Sequence, residues 1–123
     1  ILVSHTIGFI IVEAGKPSTA TLSATLWGTG TWANGTDWLS EGGLSVGTRN
    51  YWADPGFAGP DMGDYHITQG SGAVNRGIDA GVGRDIDNDP RPDWCFSDIG
   101  ADELSTGLGC RHCYVPLVLR NAP

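Results

Sequence analysis

The sequence predicts an all-β chain: short strands joined by tight turns, then a loop-rich acidic segment. Three observations carry this. Nineteen glycines and seven prolines in 123 residues make a backbone that bends every few positions. The apolar runs are short and rich in β-branched residues, as strands require. No stripe of apolar residues at i, i+3 and i+4 survives in the first half, which argues against an amphipathic helix.

Taken in order, Ile1–His5 and Ile7–Val12 read as two short strands, and residues 13–18 as a turn rich in Gly, Lys, Pro and Ser. Thr19, Thr21, Ser23 and Thr25 then alternate with Ala20, Leu22, Ala24 and Leu26, a period of two that gives one polar and one apolar face. Gly28-Thr29-Gly30 and Asn34-Gly35-Thr36 are turns, and Leu44-Ser45-Val46 is one more strand. Asn34-Gly35-Thr36 also fits the N-glycosylation pattern, but Asn-Gly is foremost a good turn. This rhythm leaves a β-sandwich or a β-solenoid. The frequent turns fit a coil, and residues 1–53 have room for about two coils of roughly 20–30 residues each.

Composition changes at residue 54. The segment 54–103 holds eleven acids against Arg76, Arg84 and Arg91, whereas the chain as a whole has a net charge of −7. Three zones follow: 1–53 as coils, 54–109 as an acidic cap and 110–123 as a tail strand. The acidic balance opposes binding to nucleic acid or to an anionic membrane surface, which needs a basic face. No apolar run approaches the roughly 20 residues of a membrane span. The first residue is Ile and no charged leader precedes an apolar run, so the chain reads as a piece of a longer protein or one whose leader has been removed.

The order of motifs in 54–103 resembles the C-terminal end of bacterial secreted right-handed parallel β-helix proteins of the pectate-lyase-like and choice-of-anchor type. The matching pieces are Asp54-Pro55-Gly56-Phe57, Asp64-Tyr65-His66-Ile67, Ser71-Gly72-Ala73-Val74-Asn75-Arg76-Gly77, the acidic loop from Asp85 to Pro92, and a closing strand from Ser97 to Glu103 containing Asp98-Ile99-Gly100-Ala101-Asp102-Glu103. Gly72, Asn75 and Asn88 depart from the family's Pro, Asp and Gly. The tail Tyr114-Val115-Pro116-Leu117-Val118-Leu119 resembles termini of secreted proteins of Chloroflexota. The resemblance implies the last coils of such a helix, followed by a loop-rich C-terminal cap, in a secreted or cell-surface bacterial protein.

Candidate sites are few. Trp27, Trp32, Trp38, Tyr51 and Trp52 could stack on sugar rings, against the favoured reading that they pack beneath loops. Asp85, Asp87, Asp89 and Asp93 match the first half of an EF-hand calcium loop, but Pro90 stands where the sharp turn needs Gly and Phe96 where a bidentate Glu belongs. A solvated acidic turn is favoured over a calcium site of another kind. Cys95, Cys110 and Cys113 are disulfide candidates; secretion makes a disulfide the leading option, either a staple from Cys95 to Cys110 or Cys113 or a rival Cys110–Cys113 loop, with one thiol left over. No catalytic constellation is complete, and Lys16 is the single lysine, whereas lyase-type proton abstraction favours Lys or Arg.

Two function classes remain. The first is a non-catalytic extracellular structural or adhesive β-solenoid module. The second is the C-terminal fragment of a polysaccharide lyase or glycoside hydrolase that binds acidic glycans. Strands at residues 1–12 would leave an open edge that upstream coils or another subunit must cover. Head-to-tail contact there would generate a filament.

Overall fold

The computed structural model describes residues 1–105. The chain is all-β, with strands β1 (Ile7–Ile11), β2 (Thr19–Leu22), β3 (Leu26–Gly28), β4 (Thr36–Ser40), β5 (Gly43–Val46), β6 (Tyr51–Ala53), β7 (Phe57–Gly59) and β8 (Asp64–Ile67). Two single-turn 3-10 segments, Gly30–Trp32 and Pro60–Met62, complete the regular structure. Among the described residues no helix is long and apolar enough to cross a membrane.

The first six strands form three two-stranded parallel sheets, β1 with β4, β2 with β5 and β3 with β6. In register, Ile7 lies beside Thr36, Thr19 beside Gly43, and Leu26 beside Tyr51. An isolated parallel bridge pairs Leu2 with Trp27, so Leu2, Trp27 and Trp52 occupy three successive rungs. Parallel neighbours cannot be joined by a hairpin, and each pair here is connected by at least twenty residues of chain.

Two asparagines knit the rungs where the strands break. Asn34 Oδ1 accepts from the His5 N–H, while its Nδ2 donates to the Leu2 carbonyl and Asp37 Oδ1. Asn50 Oδ1 accepts from the Thr25 N–H, and its Nδ2 donates to the Leu22 and Gly47 carbonyls. Each side chain supplies the ladder bonds that the bent backbone cannot make. Asn34 therefore serves the turn through all its amide atoms.

The sequence pattern differs from the structure at several places. Ile1–His5 forms no strand but only the isolated bridge at Leu2, because Ser4 turns through a positive φ of 58°. The alternating run 19–26 is one strand by period, but it breaks after Leu22 because Ala24 turns through a positive φ of 50°. Residues 36–40 form β4, which has no clean alternation to announce it. The closing strand expected from Ser97 to Glu103 is absent. Gly100 adopts φ 120°, and side-chain carboxylates take the N–H groups a ladder would use. The tail strand expected at 110–123 lies outside the described residues.

β7 and β8 form an antiparallel hairpin, Phe57 opposite Ile67, and residues 68–105 fold over the parallel strands without further strands of their own. Leu26, Ile67, Ala73 and Ile99 make the core, flanked by Ile1, Tyr51, Ala53, Phe57, Val74 and Leu104. One residue of β3 is thus covered by three pieces of the later segment. Gly72 fits because a Cβ there would lie 2.3 Å from that of Ala53, and its N–H donates to the Asp54 carbonyl, a bond proline could not make.

Gly28 faces the Trp32 carbonyl so closely that an added Cβ would come within 1.9 Å of its oxygen. Gly28→Ala should therefore lower stability by at least about 2 kcal/mol in urea unfolding, whereas Gly83→Ala, into open space, should stay within about 0.5 kcal/mol. Equal midpoints for the two variants would contradict this packing.

Candidate functional site

The acidic segment folds around buried charge. Arg91 Nε lies 3.1 Å from Glu103 Oε2, with both side chains almost wholly buried. The other Arg91 nitrogens donate to the Gly100 and Asp98 carbonyls. Glu103 also accepts from the Asp93 and Asp98 N–H groups, and Asp98 accepts from those of Asn75 and Leu104. Asp102 Oδ2 accepts from the Ile67 N–H at 2.6 Å, fixing the closing segment to β8.

Burial pushes the Asp98 and Glu103 carboxyls above their ordinary range, against the pull of their N–H donors and Arg91. Asp85 behaves oppositely. Burial raises it, but N–H donors from Asp89, Glu103 and Asp87, with Arg91 nearby, hold it below the usual value. Asn88 closes this loop at φ 71°, a left-handed position that Asn tolerates in place of Gly.

These contacts decide where the expected calcium residues stand. Asp85 is saturated by the N–H groups of Asp87, Asp89 and Glu103. Asp89 closes the loop through its backbone, and the Asp93 N–H points to Glu103. The four aspartates do not form one ligand cluster among the described residues. Asp87 alone joins such a cluster, with His66 and Asp102.

His66 comes from β8 and was not singled out by the sequence. Its Nδ1 lies 2.6 Å from Asp64 Oδ1, and its Nε2 lies 2.8 Å from Asp87 Oδ2. The bond to Asp64 raises the imidazole pKa despite partial burial, with Asp87 and Asp102 adding to the rise. The same bond lowers Asp64. Asp64 and His66 are two apart on a strand and so share a face, the signal that could have found the pair. A cleft of about 330 Å³ lined by Ile1, Phe57, Tyr65, Ile67 and Ile86 adjoins Asp102.

The aromatic residues do not form one platform. Trp27 is 1% exposed and packs on Trp38, which also meets Trp52. Trp32 meets Phe57 edge-on, and Tyr51 lies under the Arg76 guanidinium. Of the five, only Trp52 is a large exposed surface, with its indole N–H donating to Asp37. Cys95 is disulfide-bonded, while Cys110 and Cys113 lie outside the described residues. No family model matches the sequence, and no curated protein or solved structure matches it.

Removing Arg91 strands a buried carboxylate. Arg91→Met should cost on the order of 3 kcal/mol at neutral pH. Because the folded-state pKa of Glu103 already lies above its unfolded value, the folded protein binds that proton more tightly. The deficit should therefore shrink as pH falls from about 7 toward about 4, and grow again as pH rises through that window. Urea titrations across this range check it, and a deficit independent of pH would contradict the pairing.

Proposed function

We propose that residues 1–53 are the last coils of a right-handed parallel β-helix and that residues 54–109 are its C-terminal cap, in a secreted or cell-surface bacterial protein where this region is structural rather than catalytic. The observation that carries the reading is the register. Three parallel pairings occur in chain order, each joining a strand to one that begins 24–29 residues later. Right-handedness follows the strong preference of parallel crossovers. The motif resemblance supports the same architecture.

The carboxylates support the structural role. Asp85, Asp98, Asp102 and Glu103 all accept backbone N–H groups, so they position segments of the cap. A further coil, from the same protein or a second subunit, stacks on the outer edge of β1. Among the described residues that strand pairs only with β4. A strand edge of this kind is a template for pairing.

Two measurements test the reading. The chain should generate no unsaturated product from polygalacturonate, and a steady rise in product absorbance would establish the lyase alternative instead. In light scattering it should associate above its 12.9 kDa monomer mass through β1. A monodisperse monomer with Ile7–Ile11 protected from hydrogen exchange would show that the edge needs no partner.

A further inference from the structure

We propose that His66 Nε2, Asp87 and Asp102 bind a first-row divalent metal ion, of the zinc type, that ties the β7–β8 hairpin, the acidic loop and the closing segment together. The three residues are far apart in sequence, yet each offers a ligand atom within 4.8 Å of the others. An imidazole with two carboxylates favours a transition ion over calcium or magnesium, which prefer oxygen alone.

The contact between His66 and Asp87 is the second observation. His66 Nε2 is buried from solvent and makes no aligned hydrogen bond, although Asp87 Oδ2 is only 2.8 Å away. The carboxylate therefore lies off the direction of a ring N–H. With bonds of about 2.1 Å, two ligand atoms of a tetrahedral zinc ion sit about 3.4 Å apart. The 2.8 Å contact is shorter, so an ion between the two groups would open it by about half an ångström.

The outer contacts are those a histidine ligand needs. Asp64 holds Nδ1, which leaves Nε2 as the free lone pair and raises its basicity. The Ile67 N–H holds Asp102 Oδ2, which fixes the orientation of that carboxylate. Asp87 contributes from a side chain 56% exposed, so the ion has a path from solvent. Solvent water would complete the coordination.

The test uses the full chain, stripped with chelator and titrated with zinc chloride alone. One ion per chain should bind, and the melting temperature should rise with zinc but not with equal calcium or magnesium, because an ion that binds only the folded state stabilises it. His66→Gln should weaken binding at least about tenfold and Asp64→Asn about 10–100-fold. Asp87→Asn, on an exposed side chain, should do the same as His66→Gln and guards against a folding defect. Cobalt in place of zinc should show no thiolate charge-transfer band, which separates this site from the tail cysteines. Lack of stoichiometric uptake, an equal response to calcium, or zinc binding that survives both His66→Gln and Asp87→Asn would each overturn the assignment.

Discussion

A strand satisfies its backbone through its neighbours, but residues 68–105 have no strand neighbours, so each buried N–H there needs another acceptor. Carbonyls across bends supply some, as Ala73 does for Ile99 and Ser97 for Gly77, and carboxylates supply many of the rest. Glu103 receives Asp93 and Asp98, Asp98 receives Asn75 and Leu104, Asp102 receives Ile67, and Asp85 receives Asp87, Asp89 and Glu103. The acidic composition of this segment is in large part a hydrogen-bonding requirement. An acidic side chain accepts two or more N–H groups without needing a regular register, which suits a segment made of bends.

That solution concentrates like charge, and the structure handles it at two depths. Inside, Arg91 faces Glu103 and also donates to two carbonyls, so its planar fork does work that a lysine ammonium could not. At the rim, Asp64 and Asp87 flank His66, with Asp102 near enough to influence its charge. Here the counter-charge is a single imidazole among three carboxylates. The inner pair is closed to solvent, whereas the rim group is open on the Asp87 side. A permanent cation suits the first position, and an exchangeable one suits the second.

Legibility in the sequence follows the same physics. β1, β2, β5 and β8 could be read because β-branched or alternating residues need only local evidence. β4 could not, since Thr36–Ser40 owes its strand to Phe9 and its neighbours lying alongside in β1. Ser97–Glu103 looks extended by composition, but Arg91 and Gly100 impose bends that only the folded contacts reveal. The site was partly legible. Asp87 stood out within an acidic loop, but its partners were hidden because ligands brought together by tertiary packing leave no spacing in the chain. Asp85 is ambiguous in the sequence, because alternating aspartates look alike whether they face an ion or, as Asp85 does, their own backbone.

The packing also explains why the parallel strands and the later acidic segment cannot be separated. The buried apolar core residues among those described are Ile11, Leu26, Trp27, Ile67, Ala73 and Ile99, a small core. Half of these come from the segment after residue 54. Leu26 is fully buried only because Ile67, Ala73 and Ile99 lie over it. Without that cover the parallel strands would expose the very residue at their centre. The polar knot of Arg91, Asp98 and Glu103 holds Ile99 in place, so the buried charge of the acidic segment acts on the apolar centre of the parallel strands.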